Sequence, residues 1–542
     1  MLSTFEPKLA VQDRRGPPDA FVGLATGDSR QVRDGALFAA IRGSTVDGHR
    51  FIDRAVASGA STIVLQDWPD GAWPDDVVGL KVADPRRALG LAAAELHGHP
   101  SRDLMVVGIT GTNGKTSAAT IVRHLLATAG LRAGMLGTTG ITWTGRNGDV
   151  SLTATHTTPD GPALQRTLAQ MRDDGVQAVA MELSSHALDQ GRAAGLQLDV
   201  AGWTNLSRDH LDYHGSMVEY EAAKALLLSE VLAGSGSAKG ATLVVDDAVV
   251  ARHVADSASP VLRVSTVAGA VEDGMADIAP LDPPLFSLAG ITADIATPAG
   301  TLVLRSPLLG AHNLQNLLLA LGCALQAGLP LPVIEAGLAT APAASGRMER
   351  VQREDGRGPL VLVDYAHTPD ALRAVLATLR PFVPEHGAIV TVFGCGGDRD
   401  QGKRPLMTQA ACAGSDAIVL TSDNPRTEDP EFILDQMAAG LPGGATTTPQ
   451  LTPHSPYARI ADRRSAIAEA IAAASTGDLV LIAGKGHEMS QDIDGRKVAF
   501  DDREEARRAL LSFHAPANEP PTGFTHKGRI VKRFPKAPNT KR

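Results

Sequence analysis

Apolar residues fall into blocks of strand length separated by helically spaced stretches, and the clearest register begins at residue 104. Leu-Met-Val-Val-Gly-Ile (104–109) is a continuous apolar run, residues 110–117 form a Gly-rich turn, and residues 118–130 carry apolar positions at helical spacing before stopping at Gly130. The runs VQAVAMEL (176–183) and ATLVVDD (241–247) repeat the unbroken apolar signature of strands covered on both faces, which predicts a parallel sheet. Residues 286–309 alternate more and carry Gly and Pro, predicting an antiparallel insert. Near residue 346 a second series starts: LVLVDYA (360–366), AIVTVFG (388–394), DAIVLTSD (416–423) and DLVLIAG (478–484). Each ends in polar residues or glycine, with helical spacing between them, which predicts a second doubly wound α/β unit. Ligands gather at the carboxyl ends of strands in such sheets. Residues 1–100 mix short apolar runs such as STIVL (61–65) with a Pro- and Asp-rich turn region, and read as a small α/β domain. The expected organisation is α/β, with domains over 1–100, 101–345 and 346–513 and a patternless segment over 514–542.

Length agrees with several domains, since 542 residues exceed the roughly 150 of one domain more than threefold. A 43% hydrophobic chain can bury sizeable cores, which excludes a disordered or fibrous protein. The net charge of −9 and the 4% aromatic content argue against nucleic-acid and anionic-membrane binding. Seven Lys and Arg without an acid crowd residues 527–542, read as a solvated basic tail. Cys323, Cys395 and Cys412 form no CxxC and no paired framework, so a reducing compartment without structural zinc is expected. No secretory apolar run opens the sequence and no stretch approaches ~20 apolar residues, so a cytoplasmic location without membrane insertion is expected.

The turn Thr110-Gly111-Thr112-Asn113-Gly114-Lys115-Thr116-Ser117 lies between a predicted strand and a predicted helix, where a phosphate-binding loop must be. Backbone N–H groups and the helix N-terminus cradle phosphate, Lys115 reaches the β/γ oxygens, and Thr116 offers a hydroxyl to Mg²⁺. Ile109 stands where the common GxxxxGK[ST] pattern has its first glycine. ATP or another nucleoside triphosphate is the expected ligand. No NKxD-like guanine reader is present, and the loop by itself leaves ATPase, switch, kinase and ligase open. Glu182 ends a strand of the same sheet, the place for a Mg²⁺-ligating carboxylate. His210 and His214 have the i, i+4 spacing of zinc ligands, but Leu211 replaces the glutamate of HExxH, which disfavours a zinc hydrolase. Lys224, in the helical stretch EYEAAKALLLSE, reads from spacing as an exposed helix lysine. GCGGDR after AIVTVF imitates a dinucleotide fingerprint, yet Arg399 occupies the third glycine position, so NAD binding is not expected.

Taken together, the motifs resemble the Mur ligase family, and within it the MurE type. They are TGTNGKTS, HTTPD (156–160), MELSSHALDQGR (181–192), NLSRDHLDYHG (205–215), YEAAK (220–224), GAHNLQN (310–316), SGRMER (345–350), DYAHTPD (364–370), GCGGDRDQGKRPLM (394–407), DNPR (423–426), GKGHE (484–488) and FDDREEAR (500–507). They run in family order over nearly the whole chain except the tail.

The resemblance implies a three-domain architecture: an N-terminal UDP-binding unit, a central P-loop ATPase and a C-terminal Rossmann-like unit that closes over the site. It implies an ADP-forming, ATP- and Mg²⁺-dependent amide ligase of peptidoglycan assembly, with UDP-N-acetylmuramoyl-L-alanyl-D-glutamate and meso-diaminopimelate as substrates; the sequence leaves the oligomeric state open, with a monomer expected. Lys224 matches a carbamylated lysine, and Thr116, Glu182, His210 and modified Lys224 would surround the metal. Gly111, Thr112, Asn113, Gly114, Lys115, Thr116 and Ser117 with Asn316, Arg347 and Asp364 match nucleotide contacts. Gly27, Ser29, Ser44, Thr45 and Val46 match uridine contacts more loosely, since GST replaces a GHQ-like run. Thr157, Thr158, Ser184, Gln190 and Arg192 match contacts to the muramoyl-dipeptide. The Asp423-Asn424-Pro425-Arg426 motif resembles the diaminopimelate-adding type, with Arg399, Gly484 and Glu488 completing the amino-acid site. An alternative for Asn316 is a plain helix cap, for Asp364 a turn acid, and for Arg426 a surface charge after a turn. Folylpolyglutamate synthetase, which shares the loop variant, and a non-catalytic nucleotide switch are the competing classes.

Overall fold

A computed structural model describes residues 2–513 apart from Phe5, Ser44, Thr45, Thr155, Glu354, Gly356, Glu385, His386, Pro453 and His454. The basic segment 514–542 and the uridine candidates Ser44 and Thr45 therefore lie outside the described residues. The chain groups into two spatial units. The first comprises the chain through Leu285 with Ile291–Pro307 and His312–Pro342; the second comprises Phe286–Gly290, Leu308–Ala311 and the chain from Ala343 onward.

The first unit holds two α/β sheets. The smaller has five strands in the order Val11–Arg15, Val78–Val82, Ala60–Leu65, Ala36–Ala39 and Leu24–Thr26, all parallel except the first. The helix Pro85–Leu96 starts where Asp84 accepts the amides of Arg86 and Arg87 and Pro85 occupies the first turn. It buries Ala88, Leu89, Ala92 and Ala93 against this sheet. On its other side it meets the helix Gly161–Asp173, where a Cβ on Gly161 would stand 2.8 Å from the Cα of Gly90. Two helices cross that closely only because neither has a side chain at the contact.

The larger sheet has eight strands, with Met105–Thr110 between Val200–Trp203 and Ala178–Glu182. Its six strands from Val261–Val264 to Ala133–Gly137 run parallel, and an antiparallel hairpin (Gly140–Gly145, Gly148–Leu152) extends one edge. The loop strand, its helix Lys115–Thr128 and the strand ending at Glu182 follow the apolar pattern within a few residues. Beyond the sheet, Gly290–Thr297 and Gly300–Ser306 pair antiparallel along their length. The Leu-rich helix Ala311–Gln326 buries eleven residues, Asn313 and Asn316 among them.

In the second unit six strands run in the order Glu349–Val351, Leu360–Asp364, Leu479–Ala483, Ile389–Cys395, Ala417–Ser422 and Tyr457–Arg459. The four interior strands are those the apolar runs predict. The two edges are three residues long, too short to carry a pattern of their own. Hydrophobic clusters cover both faces, one around Leu372, Phe393, Met407 and Leu434, the other around Val392, Ile467, Val480 and Leu510. Arg463 and Asp502, both fully buried, lock this unit through two 2.7 Å hydrogen bonds. Arg463 also donates to the carbonyl of Ala483 (3.1 Å), tying its helix to the end of a central strand. Among the described residues no helix is long and apolar enough to cross a membrane.

Removing one member of that pair leaves a buried carboxylate without its counter-charge. Arg463→Met is expected to destabilise the second unit by about 3–5 kcal/mol, whereas the isosteric double change Arg463→Met/Asp502→Leu costs much less. Thermal unfolding of the two variants compares them; equal losses would refute the charge-stranding account.

Candidate active site

The Gly-rich turn is fixed by what packs behind it. Gly111 (φ +143°) and Gly114 (φ +86°) adopt conformations that side chains disfavour, and neither has room for one. A Cβ on Gly111 would lie 1.8 Å from Thr204 Oγ1, and one on Gly114 would lie 2.3 Å from Asn316 Oδ1. The segment after the strand Val200–Trp203 holds the loop from below. The Thr112 amide donates to the Asn205 carbonyl (2.9 Å), the Asn113 amide to Asn205 Oδ1 (2.9 Å), and Thr204 Oγ1 to the Asn113 carbonyl (2.6 Å). Thr112 Oγ1 accepts the Ser207 amide and meets the Tyr220 hydroxyl at 3.1 Å. Lys115 and Thr116 open the helix, with Gly114 as a cap that supplies no side chain, so its first amides face outward. Asn316 is no helix cap: it sits buried inside Ala311–Gln326, bonded to Asn313 Oδ1 and pressed against Gly114.

Glu182 ends its strand 1% exposed. Its Oε1 accepts the Thr138 amide (2.8 Å) and its Oε2 the Thr138 hydroxyl (3.3 Å). Gly137 is glycine by necessity, because a Cβ there would lie 2.2 Å from Glu182 Oε1. Burial raises the Glu182 carboxyl above its ordinary range, against the charge of Lys115 and hydrogen bonds from Thr138 and Thr116. A buried carboxylate beside a threonine hydroxyl is a hard oxygen donor set, and the ion that suits it is Mg²⁺. Among the described residues no three His, Cys, Asp or Glu side chains stand together as ligands, so a metal here would draw further oxygens from phosphate or water.

The dipeptide candidates adjoin this carboxylate. Thr157 Oγ1 is 3.1 Å from Thr138 Oγ1, so one hydroxyl touches both Thr157 and Glu182. Thr158, fully buried, donates to the Glu182 carbonyl (2.9 Å) and accepts the Ser184 amide (3.1 Å). Ser184 in turn caps the short helix Ser185–Asp189. Arg192 grips Gln190 Oε1 with two nitrogens (3.0 and 2.7 Å) and reaches the Thr158 carbonyl (3.1 Å). Gln190 continues to the Tyr213 hydroxyl (3.0 Å), which donates to Asp189 (2.7 Å).

Lys224 is not the exposed helix lysine that spacing suggests. It is 1% exposed, donates to the Gly111 carbonyl (2.7 Å) and lies 4.6 Å from the centroid of Tyr220. Burial, then the nearby Lys115, push its pKa down to about 6, while Asp209 opposes them. His210 and His214 do not act as an i, i+4 pair. His210 takes a left-handed backbone (φ +52°), half-exposed beside Asp209, whereas His214 turns inward to Ser185 Oγ (3.0 Å). His186 lies between them at ring distances of 4.9 and 5.3 Å. In the N-terminal sheet Gly27 and Ser29 follow the strand Leu24–Thr26, and Val46 is 45% exposed, its carbonyl accepting the Gly43 amide.

The second unit carries the remaining candidates. Asp364 is a buried strand end rather than a turn acid, accepting the amides of Met348 and Ala366 at 2.8 Å each. Burial raises its carboxyl against those bonds and the charge of Arg347, whose guanidinium lies 4.7 Å from the Tyr365 ring centroid. Asn424 and Pro425 are buried, and Arg426 adopts φ +53° with its amide on the Asp492 carbonyl. Arg426 Nη1 donates to the Gly397 carbonyl (2.6 Å), so this residue is fixed in the fold rather than a loose surface charge. Gly484 takes φ +117° and Arg399 is exposed. Glu488 Oε2 accepts from Asn424 (2.9 Å) and from Lys485 (2.8 Å). Sequence reasoning did not single out Thr138, Asn205, Asp209, Tyr220 or Lys485. Thr138 follows the glycine that makes room for Glu182, and Lys485 lies inside GKGHE, but neither signal shows without the packing.

Models of three parts of one family match the chain in order: the Mur ligase family catalytic domain over 22–97, the Mur ligase middle domain over 109–324, and the Mur ligase glutamate ligase domain over 346–486. A UDP-N-acetylmuramoyl-L-alanyl-D-glutamate--2,6-diaminopimelate ligase of Synechococcus sp. (strain WH7803) is 44% identical over 91% of this chain and 96% of its own. The chain belongs to the Mur ligase family. A ligase of the same name from Geobacillus thermodenitrificans is 42% identical, covering 92% of this chain and 96% of its own. A solved structure of a ligase of that name superposes with a TM-score of 0.67 at 36% identity, over 91% of this chain and 95% of its own. Within this Mur ligase, the three α/β sheets provide the family architecture that the motifs imply.

The doubly used hydroxyl of Thr138 gives a direct check on the geometry. Thr138→Val keeps the amide bond to Glu182 but removes the bridge to Thr157; Thr138→Ser keeps both. The Mg²⁺ concentration for half-maximal turnover should rise about two- to tenfold in the valine variant and stay near wild type in the serine variant. A titration of initial rate against Mg²⁺ measures it, and indistinguishable curves would remove Thr138 from the site.

Proposed function

We propose that this chain is an ATP-dependent, ADP-forming ligase that joins meso-diaminopimelate to UDP-N-acetylmuramoyl-L-alanyl-D-glutamate in peptidoglycan assembly, in the cytoplasm. The observation that carries the reading is the buried Glu182, at the end of the strand beside the loop strand and next to Thr116 and Lys115, continued through Thr138 into Thr157, Thr158 and Arg192. Phosphate machinery and a carboxylate-binding row thus sit at the carboxyl ends of two adjacent strands, which a ligase needs and a bare nucleotide switch does not. Relatives over 40% identical that carry this ligase name support the choice of substrates.

The reaction has two displacements. The terminal carboxylate of the dipeptide attacks the γ-phosphorus in line; a carboxyl O–P bond forms, the bridging P–O bond breaks, and ADP leaves. The amine of the incoming amino acid then attacks the acyl phosphate carbon, the C–O bond breaks, and inorganic phosphate departs as the amine loses its proton. Gly111 to Ser117 cradle the phosphates, and Lys115 neutralises charge on the transferred group. Asn316, Arg347 and Asp364 serve the nucleotide, and Gly27, Ser29, Ser44, Thr45 and Val46 the uridine part. Arg192, Gln190, Ser184, Thr157 and Thr158 hold the acceptor. Thr116, Glu182, His210 and carbamylated Lys224 would hold Mg²⁺, which when bound supplies positive charge to the phosphate oxygens. Arg426 pairs with the distal carboxylate of diaminopimelate and Arg399 with its other carboxylate, and Glu488 with the Gly484 carbonyl receives the distal ammonium. No protein nucleophile is required; positioning and electrostatics carry the rate.

Lys224 suits carbamylation because burial leaves its amine neutral near pH 7, ready to add to CO₂ with loss of one proton. Lys224→Ala should lose most of the turnover, and short carboxylates added to the buffer should restore part of it. Full activity in that variant would discard the carbamate. The unmodified amine also sets a pH trend. Its folded pKa of about 6 lies below the ordinary lysine value of 10.5, so across that window the unfolded chain binds a proton the folded chain does not. Stability of bicarbonate-free protein should therefore rise with pH between about 6.5 and 8.5, and Lys224→Met should flatten the rise. Thermal midpoints across that range decide it.

The proposal as a whole is tested by incubating the protein with ATP and UDP-N-acetylmuramoyl-dipeptide, adding meso-diaminopimelate or L-lysine, then measuring ADP and weighing the product. A preference for diaminopimelate of about 10³ or more in kcat/KM is expected, since lysine brings Arg426 no carboxylate and would place an ammonium near its guanidinium. Comparable rates for the two would overturn the substrate assignment; an unchanged preference in Arg426→Ala would take Arg426 out of it.

A further inference from the structure

Lys485 is fully buried, which for an ammonium is costly unless every donor is met. Its Nζ donates to Glu488 Oε2 (2.8 Å) and to Asn424 Oδ1 (3.0 Å), and stands 3.6 Å from Asp423 Oδ1. That Asp423 oxygen is buried and has no hydrogen-bond partner among the described residues. Asn424 is held on every side: Nδ2 donates to Glu488 Oε2, Oδ1 also accepts the Asp492 amide (3.0 Å), and its carbonyl accepts the Gly397 amide (2.9 Å). Gly397 then offers its own carbonyl to Arg426 Nη1. One buried cation is thus linked by successive hydrogen bonds to both groups assigned to the distal head of diaminopimelate, the acidic Glu488 and the basic Arg426.

Asp423 and Glu488 face Lys485, while Asp502 is taken up by Arg463. Burial works to raise the Glu488 carboxyl, but the hydrogen bond and charge of Lys485 outweigh it, with help from Asn424 and His487. Glu488 keeps its carboxylate while its side chain stays 34% exposed.

We propose that Lys485 is a positioning residue for amino-acid selection: it holds the Glu488 carboxylate and the Asn424 amide where the distal ammonium of the incoming amino acid meets them. This rests on the amino-acid site assigned above. Lys485 does not touch the substrate; it acts through Glu488 directly and through Asn424 and Gly397 on Arg426.

The test is a comparison of three KM values in Lys485→Met. KM for diaminopimelate should rise about tenfold or more, the value of a charged hydrogen bond. KM for ATP and for the UDP-dipeptide should stay within about twofold, because those groups share no partner with Lys485. The diaminopimelate KM should also worsen as pH falls, because the Glu488 carboxylate, without its cation and beside Asp423, takes up a proton more readily. Lys485→Met/Asp423→Asn restores the charge count and should lose the pH dependence while keeping the raised KM. If the single variant fails to fold, the double variant carries the same KM comparison. An unchanged diaminopimelate KM, or an equal rise in all three, overturns the proposal. Diaminopimelate use by the wild type is measured first, so that failure of the substrate reading shows there and failure of the Lys485 role only in the variants.

Discussion

Two lysine side chains converge on one carbonyl oxygen: Lys115 Nζ lies 2.9 Å and Lys224 Nζ 2.7 Å from the oxygen of Gly111. Like charges brought together inside a protein repel strongly, and burial adds to the cost. The surroundings answer it with oxygen: the Thr112 carbonyl, the buried Glu182 and the nearby Asp209. The result is a strand end crowded with groups whose charge depends on what is bound. A bound phosphate would satisfy Lys115, a cation Glu182, and loss of a proton Lys224. Such unresolved electrostatics are characteristic of sites whose chemistry is the transfer of a charged group.

That crowding is possible because the backbone around it carries few side chains. Gly111, Gly114 and Gly137 each stand where a methyl group would strike Thr204, Asn316 or Glu182. The glycines are therefore set by the neighbours as much as by the turn. Behind them Asn205, Thr204 and Ser207 occupy loop donors and acceptors from the next strand, so the loop is held open before any nucleotide arrives. Preorganisation of this kind moves the cost of ordering from the binding step to folding.

The second unit repeats the device with the opposite emphasis. Arg463 with Asp502, Arg404 with Glu428, and Lys485 with Glu488 are cations with no exposure, each tied to a carboxylate near the carboxyl end of the sheet. The Arg463 pair is closed on itself at 0% exposure on both sides and holds the fold. Glu428 and Glu488 remain partly open, so their cations hold surface carboxylates in fixed directions. Burial of both partners yields structure; burial of the cation alone yields an aimed acid.

The sequence by itself determined the strand runs, the phosphate loop, the acid at a strand end and the family, because apolar periodicity and contiguous motifs are local properties that survive without coordinates. The hairpin Gly140–Leu152 and the three-residue edge strands escaped, since partners rather than their own pattern make them strands. Only the tertiary structure decided that Lys224 is buried, that Asn316 braces the loop, that His214 turns away from His210, and that Lys485 sits under Glu488. A lysine in a helix or after a glycine reads the same whether it meets water or a carbonyl. What distinguishes the two is the density of atoms brought around it from residues more than sixty positions away, and that density is a property of the fold alone.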